Sequence, residues 1–197
     1  MIWQKENQMK IRNDYVSNSS SSSFIIIVDN GTDETYNIQR DFLSYSDDWT
    51  WYEIPSTNGK HQFGWEWEDT HDFAGKLNFI GIQLLELFIM KVKGWKPPYN
   101  TPYTGEDFDR LYEMVQKVCK EKFNFNVKLR DDLIQMKIYH DKDKGYSGYL
   151  TMDSECYIDH QSSAVEGSCM EMFDSEDALW NFLRFEESHI RGGNDNS

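Results

Sequence analysis

The sequence predicts an α+β fold: a mainly antiparallel sheet packed by two or three helices. Three observations carry that expectation. Short runs of strand length occur at residues 24–28 and again through 133–161. Long stretches between residues 72 and 119 repeat apolar residues at helical spacing. The two kinds of segment come in separate blocks, without the strict alternation of a doubly wound sheet.

Residues 1–8 read as an N-terminal extension, with Met1 and Met9 both candidate starts. A single domain is expected over 9–190, followed by a tail at 191–197 that lacks core-forming residues. Five serines, Ser19 to Ser23, run directly into Phe24-Ile25-Ile26-Ile27-Val28, which reads as a fully buried strand ended by an Asn30-Gly31 tight turn. Tyr36 to Phe42 fits either a strand or a short helix. From 47 to 69 the chain is aromatic and acidic. The period of two in Trp49-Thr50-Trp51 and Trp65-Glu66-Trp67 puts each indole pair on one face, and the turn cluster at residues 55–59 suggests a hairpin between them.

Asp72 caps the first long helix, which runs to about Lys93 and stops at Gly94. Its apolar residues are spread widely, so it should be the most buried helix. Thr104 and Asp107 resemble a capping box for the next, whose stripe is Phe108, Leu111, Tyr112, Val115, Val118 and Cys119. Ile134, Met136 and Ile138 alternate with polar residues as in a half-exposed strand. Residues 146–152 and 156–161 complete an expected meander. The last helix is capped by Asp174 or Ser175, with Phe173 as its hydrophobic staple and Leu179, Phe182 and Leu183 facing the core.

Charge and cysteines bound the function. A formal net charge of -14 argues against direct nucleic-acid binding, which depends on Lys and Arg neutralising phosphates. Acidity ordinarily serves solubility; its sharper use would be a decoy surface for a nucleic-acid-binding protein. Cys119, Cys156 and Cys169 are odd in number and lack CxxC spacing, which fits a reducing cytoplasm and no disulfide framework. The N-terminus has no signal-peptide pattern. The apolar run from Phe79 to Val92 is too short and too charged to span a bilayer.

Candidate chemistry is sparse. Ser17, Asn18, Ser19, Ser20 and Ser21 offer donors that can line an anion site, although they precede a strand, whereas a phosphate loop follows one. Their structural reading, seating the strand, is the simpler one. Asp159-His160-Gln161-Ser162-Ser163 is the densest reactive cluster. On a strand Asp159 and His160 face opposite ways, so a catalytic triad is not assembled, and His160 remains a weak acid–base candidate. His61 and His71 are poorly spaced for zinc, and no metal or other cofactor is expected. Trp49, Trp51, Trp65 and Trp67, with Tyr99 in a proline-rich loop, form a candidate partner surface, or else cross-strand core pairs.

Three segments together carry a resemblance. The run from Met9 through Ser17-Asn18 and the five serines to Phe24, the segment Ile158-Asp159-His160-Gln161-Ser162, and Gly192-Gly193-Asn194-Asp195 occur here in that order. This resembles an uncharacterised family of bacteriophage and Gram-positive bacterial proteins. The chain departs from that pattern in its residues before Met9, its aromatic-acidic middle and Arg191. The resemblance implies an origin, and a location in the cytoplasm of a bacterial host. It also suggests that the three segments share one composite site or core sheet. The leading expectation is an acidic, phage-type accessory protein that binds a host or phage protein, in a host-interaction or anti-defence role. One alternative is an enzyme or binding protein for a phosphorylated or nucleotide-like small molecule, using the serine segment, His160 and Gly192 to Asp195. A structural virion component is the other.

Overall fold

A computed structural model of the chain describes residues 22–43, 51–56, 61–63, 69–94, 103–141, 145–153, 155–158, 162–164 and 169–193. The elements run β1 (Ser22–Ile26), α1 (Thr35–Leu43), β2 (Trp51–Ile54), β3 (His61–Phe63), α2 (Phe73–Lys93), α3 (Phe108–Phe123), β4 (Asn126–Leu129), β5 (Ile134–Asp141), β6 (Gly145–Met152), β7 (Cys156–Ile158), α4 (Glu176–Arg184) and β8 (His189–Gly193). The chain is α+β. The segment that fitted either strand or helix is α1.

α2 is the hub. The Asp72 carboxylate accepts from the Gly75 N–H, and Gly94 in the left-handed region (φ 60°) returns its own N–H to the last turn. Leu77, Ile80, Ile82, Leu84, Leu85 and Leu87 are all fully buried, so apolar contact surrounds the helix. It spans the expected range, from its Asp72 cap to Lys93. By length and composition alone it could cross a membrane, with a mean hydropathy of 1.4 over 18 of its residues, yet 78% of that stretch is buried within the fold. β2, β3, β7, α3 and α4 pack around it. Gly81 permits a close approach to the end of β2: a Cβ there would lie 2.7 Å from the Pro55 nitrogen and 2.9 Å from the Ile54 carbonyl carbon.

The other helices follow their local signals. Thr104 accepts from the Glu106 N–H while the Asp107 carboxylate accepts from the Thr104 N–H, and a 3-10 turn leads into α3. Phe108, Leu111, Val115, Val118, Cys119 and Phe123 are its buried stripe. Ser175 caps α4 by accepting from the Ala178 N–H. Phe173 therefore sits one residue beyond the staple position, itself buried in the preceding 3-10 turn.

Strand pairing departs from expectation. Among the described residues the strands pair two by two, β1 with β8 and β5 with β6 antiparallel, β2 with β4 and β3 with β7 parallel. The antiparallel ladders are the longer ones. The expected hairpin over 47–69 does not form between β2 and β3, because each takes a partner from later in the chain. The meander likewise stops after two strands, since β7 leaves β6 to pair with β3. Of Phe24 to Val28 only Ile25 is buried, and neither Asn30 nor Gly31 has positive φ. The chain bends there, and the Thr32 N–H and hydroxyl both donate to the Glu187 carboxylate. β8 extends three residues into the segment expected to be tail, with Arg191, Gly192 and Gly193 opposite Phe24, Ser23 and Ser22.

Candidate functional site

Two of the three segments carrying the resemblance meet in the β1–β8 ladder. Ser22 pairs with Gly193 and Ser23 with Gly192, so the end of the serine run lies beside the glycine pair. The third segment lies elsewhere in the fold. Ile158 ends β7 against β3, and Ser162 is fully buried beside α2. Gln83 Nε2 donates to the Ser162 carbonyl at 2.7 Å, and its Oε1 accepts from the Ala164 N–H at 2.6 Å. Both ends of one buried amide are thereby used to hold this segment on the helix. Ser17 to Ser21, Asp159, His160, Gln161, Asn194 and Asp195 lie outside the described residues, as do Trp49, Trp65, Trp67 and Tyr99. Trp51 opens β2 and is 57% exposed.

A cluster not anticipated from the sequence forms on the other edge of β8. Thr70 and Ile190 exchange backbone hydrogen bonds, N–H to carbonyl at 2.7 and 3.1 Å. In an antiparallel pair that exchange sets His71 opposite His189 with both side chains on one face, and Asp69 joins them two residues along. The imidazoles stack with centroids 4.2 Å apart and planes 24° from parallel. His71 Nδ1 donates to the Glu186 carbonyl at 3.1 Å and His189 Nδ1 to the Glu187 carbonyl at 2.7 Å. A carbonyl only accepts, so the proton of each neutral ring sits on Nδ1 and the Nε2 lone pair is left over. His189 Nε2 lies 3.9 Å from the Asp69 carboxylate. Burial pushes the His189 pKa down and His71 beside it adds to that, against the Glu187 carbonyl bond and the Asp69 charge, which raise it.

The turn that supplies those carbonyls is held from inside. Lys76 is buried, and its Nζ donates to the carbonyls of Phe182, Phe185 and Ser188 at 3.0, 2.8 and 2.7 Å. All three ammonium protons are thus engaged at the C-terminal end of α4, where carbonyls lack helical partners. Burial lowers its pKa to about 8. Next to this turn is a cleft of about 510 Å³, with Glu34, Asp41, His71, Asp72, Arg184 and Glu186 among its lining.

No family model, no curated protein and no solved structure matches this chain. His61, set beside His71 by sequence spacing, is buried in β3 and bonded through Nε2 to the Ser56 carbonyl at 3.0 Å. Asp69-Thr70-His71 has the strand period that places both side chains on one face. The partner His189 had no such signal, because only tertiary pairing brings it across.

The other notable surface is the β5–β6 ribbon. Its alternation predicted a buried apolar face, but Met136 is 67% and Ile138 68% exposed. Gln135 and Lys137 on the opposite face are exposed too. Toward the end joined to the domain, the Lys93 ammonium donates to the Leu150 carbonyl and the Asp153 N–H to the Leu133 carbonyl.

Proposed function

We propose that this chain is an acidic accessory protein of phage type that acts by binding a host protein through the β5–β6 ribbon. The observation that carries the reading is the exposed apolar pair Met136 and Ile138, beside Gln135 and Lys137, which are exposed on the opposite face. Large apolar side chains grouped on a regular exposed element mark an interaction site. The formal net charge of -14 favours a partner with a basic surface around an apolar strip, and attraction of that kind speeds encounter. The resemblance of the serine, Ile158-to-Ser162 and Gly192-to-Asp195 segments to phage proteins supports the origin. The described cleft is a poor seat for a phosphorylated small molecule, because Glu34, Asp41, Asp72 and Glu186 outnumber Lys76 and Arg184 in its lining.

A photo-crosslinking amino acid at position 138 tests the reading, with one at the exposed Glu113 of α3 as control. In host lysate, position 138 should capture a discrete protein that position 113 does not. Capture should weaken as salt rises and vanish with Met136→Asp, while the melting temperature of that variant stays near wild type. Crosslinks only to a second copy of the chain, or the same pattern from both positions, would overturn it.

A further inference from the structure

We propose that Asp69, His71 and His189 form a binding site for a zinc-type divalent cation. One ligand atom from each residue lies within 4.8 Å of the other two. Proximity alone is common on acidic surfaces, but here both imidazoles are also prepared as ligands. Each spends its Nδ1 proton on a backbone carbonyl, Glu186 for His71 and Glu187 for His189. That second interaction sets the tautomer, as it does in metal-bound histidines, and leaves the Nε2 lone pair for the ion.

The separations allow an ion between the ligands once one imidazole turns. Lone pairs lie in the ring planes, and rings stacked 24° from parallel do not aim both at one ion until the exposed His71 leaves the stack. Zinc bonds of about 2 Å to nitrogen and carboxylate oxygen place two tetrahedral ligands about 3.4 Å apart. The 3.9 Å between His189 Nε2 and Asp69 Oδ2 is too long for a good hydrogen bond and closes on such an ion with a small side-chain rotation. The scaffold is stiff where it matters: the Thr70–Ile190 exchange sets the two strands, and Glu187 ties the turn to Thr32. Two imidazoles and one carboxylate, with no thiolate, suit zinc or a similar borderline cation. All three cysteines are buried and none belongs to the cluster.

Opposing charge is modest. The Lys76 ammonium disfavours a cation at His189, and Arg191 follows on the same strand face. Asp69, Asp72, Glu186 and Glu187 surround the same region and outnumber them. His71 also lines the cleft, so the coordination positions not taken by the protein are left to water or to a ligand there.

Titration of the full-length chain with Zn²⁺ by calorimetry should show one equivalent bound, and Co²⁺ should give the visible absorption of a low-coordinate site. His71→Ala should weaken Zn²⁺ binding at least about tenfold, the range lost when histidine support in such sites is disturbed. His189→Ala should do the same, and Asp69→Asn should weaken it by a smaller factor. His61→Gln, at a described histidine outside the cluster, should leave Zn²⁺ affinity unchanged. His71 is exposed, so its variant should keep the wild-type melting curve; should it not, His71→Gln replaces it, and imidazole ¹⁵N spectra of the wild-type chain should show two histidine Nε2 signals moving with Zn²⁺. Failure of the wild type to bind either ion, or unchanged affinity in the His71 variant, would overturn the site.

Discussion

At the scale of single residues, Lys76 states most clearly how this sequence uses a polar group inside its core. An ammonium is costly to bury, and the cost is tolerated only when every donor is engaged. Here three carbonyls at the end of α4 and in the following turn do so. Lys76→Met keeps the aliphatic stem but takes the ammonium from those carbonyls, of which that of Phe185 keeps the Ser188 N–H. Stability should fall by about 2 kcal/mol, the order expected for buried groups left unsatisfied. The pH dependence gives a second signature. Folding lowers the Lys76 pKa from 10.5 to about 8 through burial. Between those values the unfolded chain holds a proton that the folded chain has released, so stability contributed by Lys76 rises as pH increases. Urea denaturation should show the wild type gaining on Lys76→Met from pH 8 to 10; a difference that stays flat or shrinks would refute this assignment.

At the scale of elements, the close seat of α2 on the end of β2 makes a sharp demand at one position. A methyl group at residue 81 would meet backbone atoms of Ile54 and Pro55 at under 3.0 Å, and backbone cannot rotate away as a side chain can. Gly81→Ala removes a helix-weakening glycine, worth up to about 1 kcal/mol in favour of the variant. Overpacking of about 1–3 kcal/mol opposes it. The net expectation is destabilisation, read as a lower urea midpoint with an unchanged slope; a raised midpoint would mean that α2 is not seated this closely.

The same scale explains what the sequence made legible. α2, α3 and α4 were readable because their caps, Asp72, Thr104 with Asp107, and Ser175, act on amides within a few residues. Strands could be located but not paired. β2 and β4 lie more than seventy residues apart along the chain, as do β3 and β7, and nothing local in Trp51–Ile54 or His61–Phe63 names the partner. The ribbon misled for a related reason: Ile134, Met136 and Ile138 alternate as a buried face does, but burial also needs an opposing layer. At the candidate metal site Asp69 and His71 could be placed on one face by their spacing, while His189 arrived only through the Thr70–Ile190 exchange.

At the scale of the whole molecule, the described ends of the chain are fastened to each other and to its centre. β8 pairs with β1 on one edge and with Thr70 on the other. The Ser188 hydroxyl accepts from the Val28 N–H, and the Ser188 carbonyl accepts from Lys76. Nearby, the Glu34 N–H donates to the Arg184 carbonyl and the Glu186 N–H to the Thr32 carbonyl. Cutting the chain after Glu187 therefore removes one ladder, one bridge and a partner of the buried ammonium together. Natural domains have only about 5–15 kcal/mol in reserve, and losses in contacting groups reinforce one another. Residues 1–187 should consequently bind a hydrophobic dye and unfold over a broad, weakly cooperative urea range. Residues 1–193, which keep all of β8, should unfold in a single sharp transition near the full-length midpoint. A sharp transition retained by 1–187 would mean that β8 only decorates an independently stable core, and the serine-bearing strand would then have no role in closing the fold.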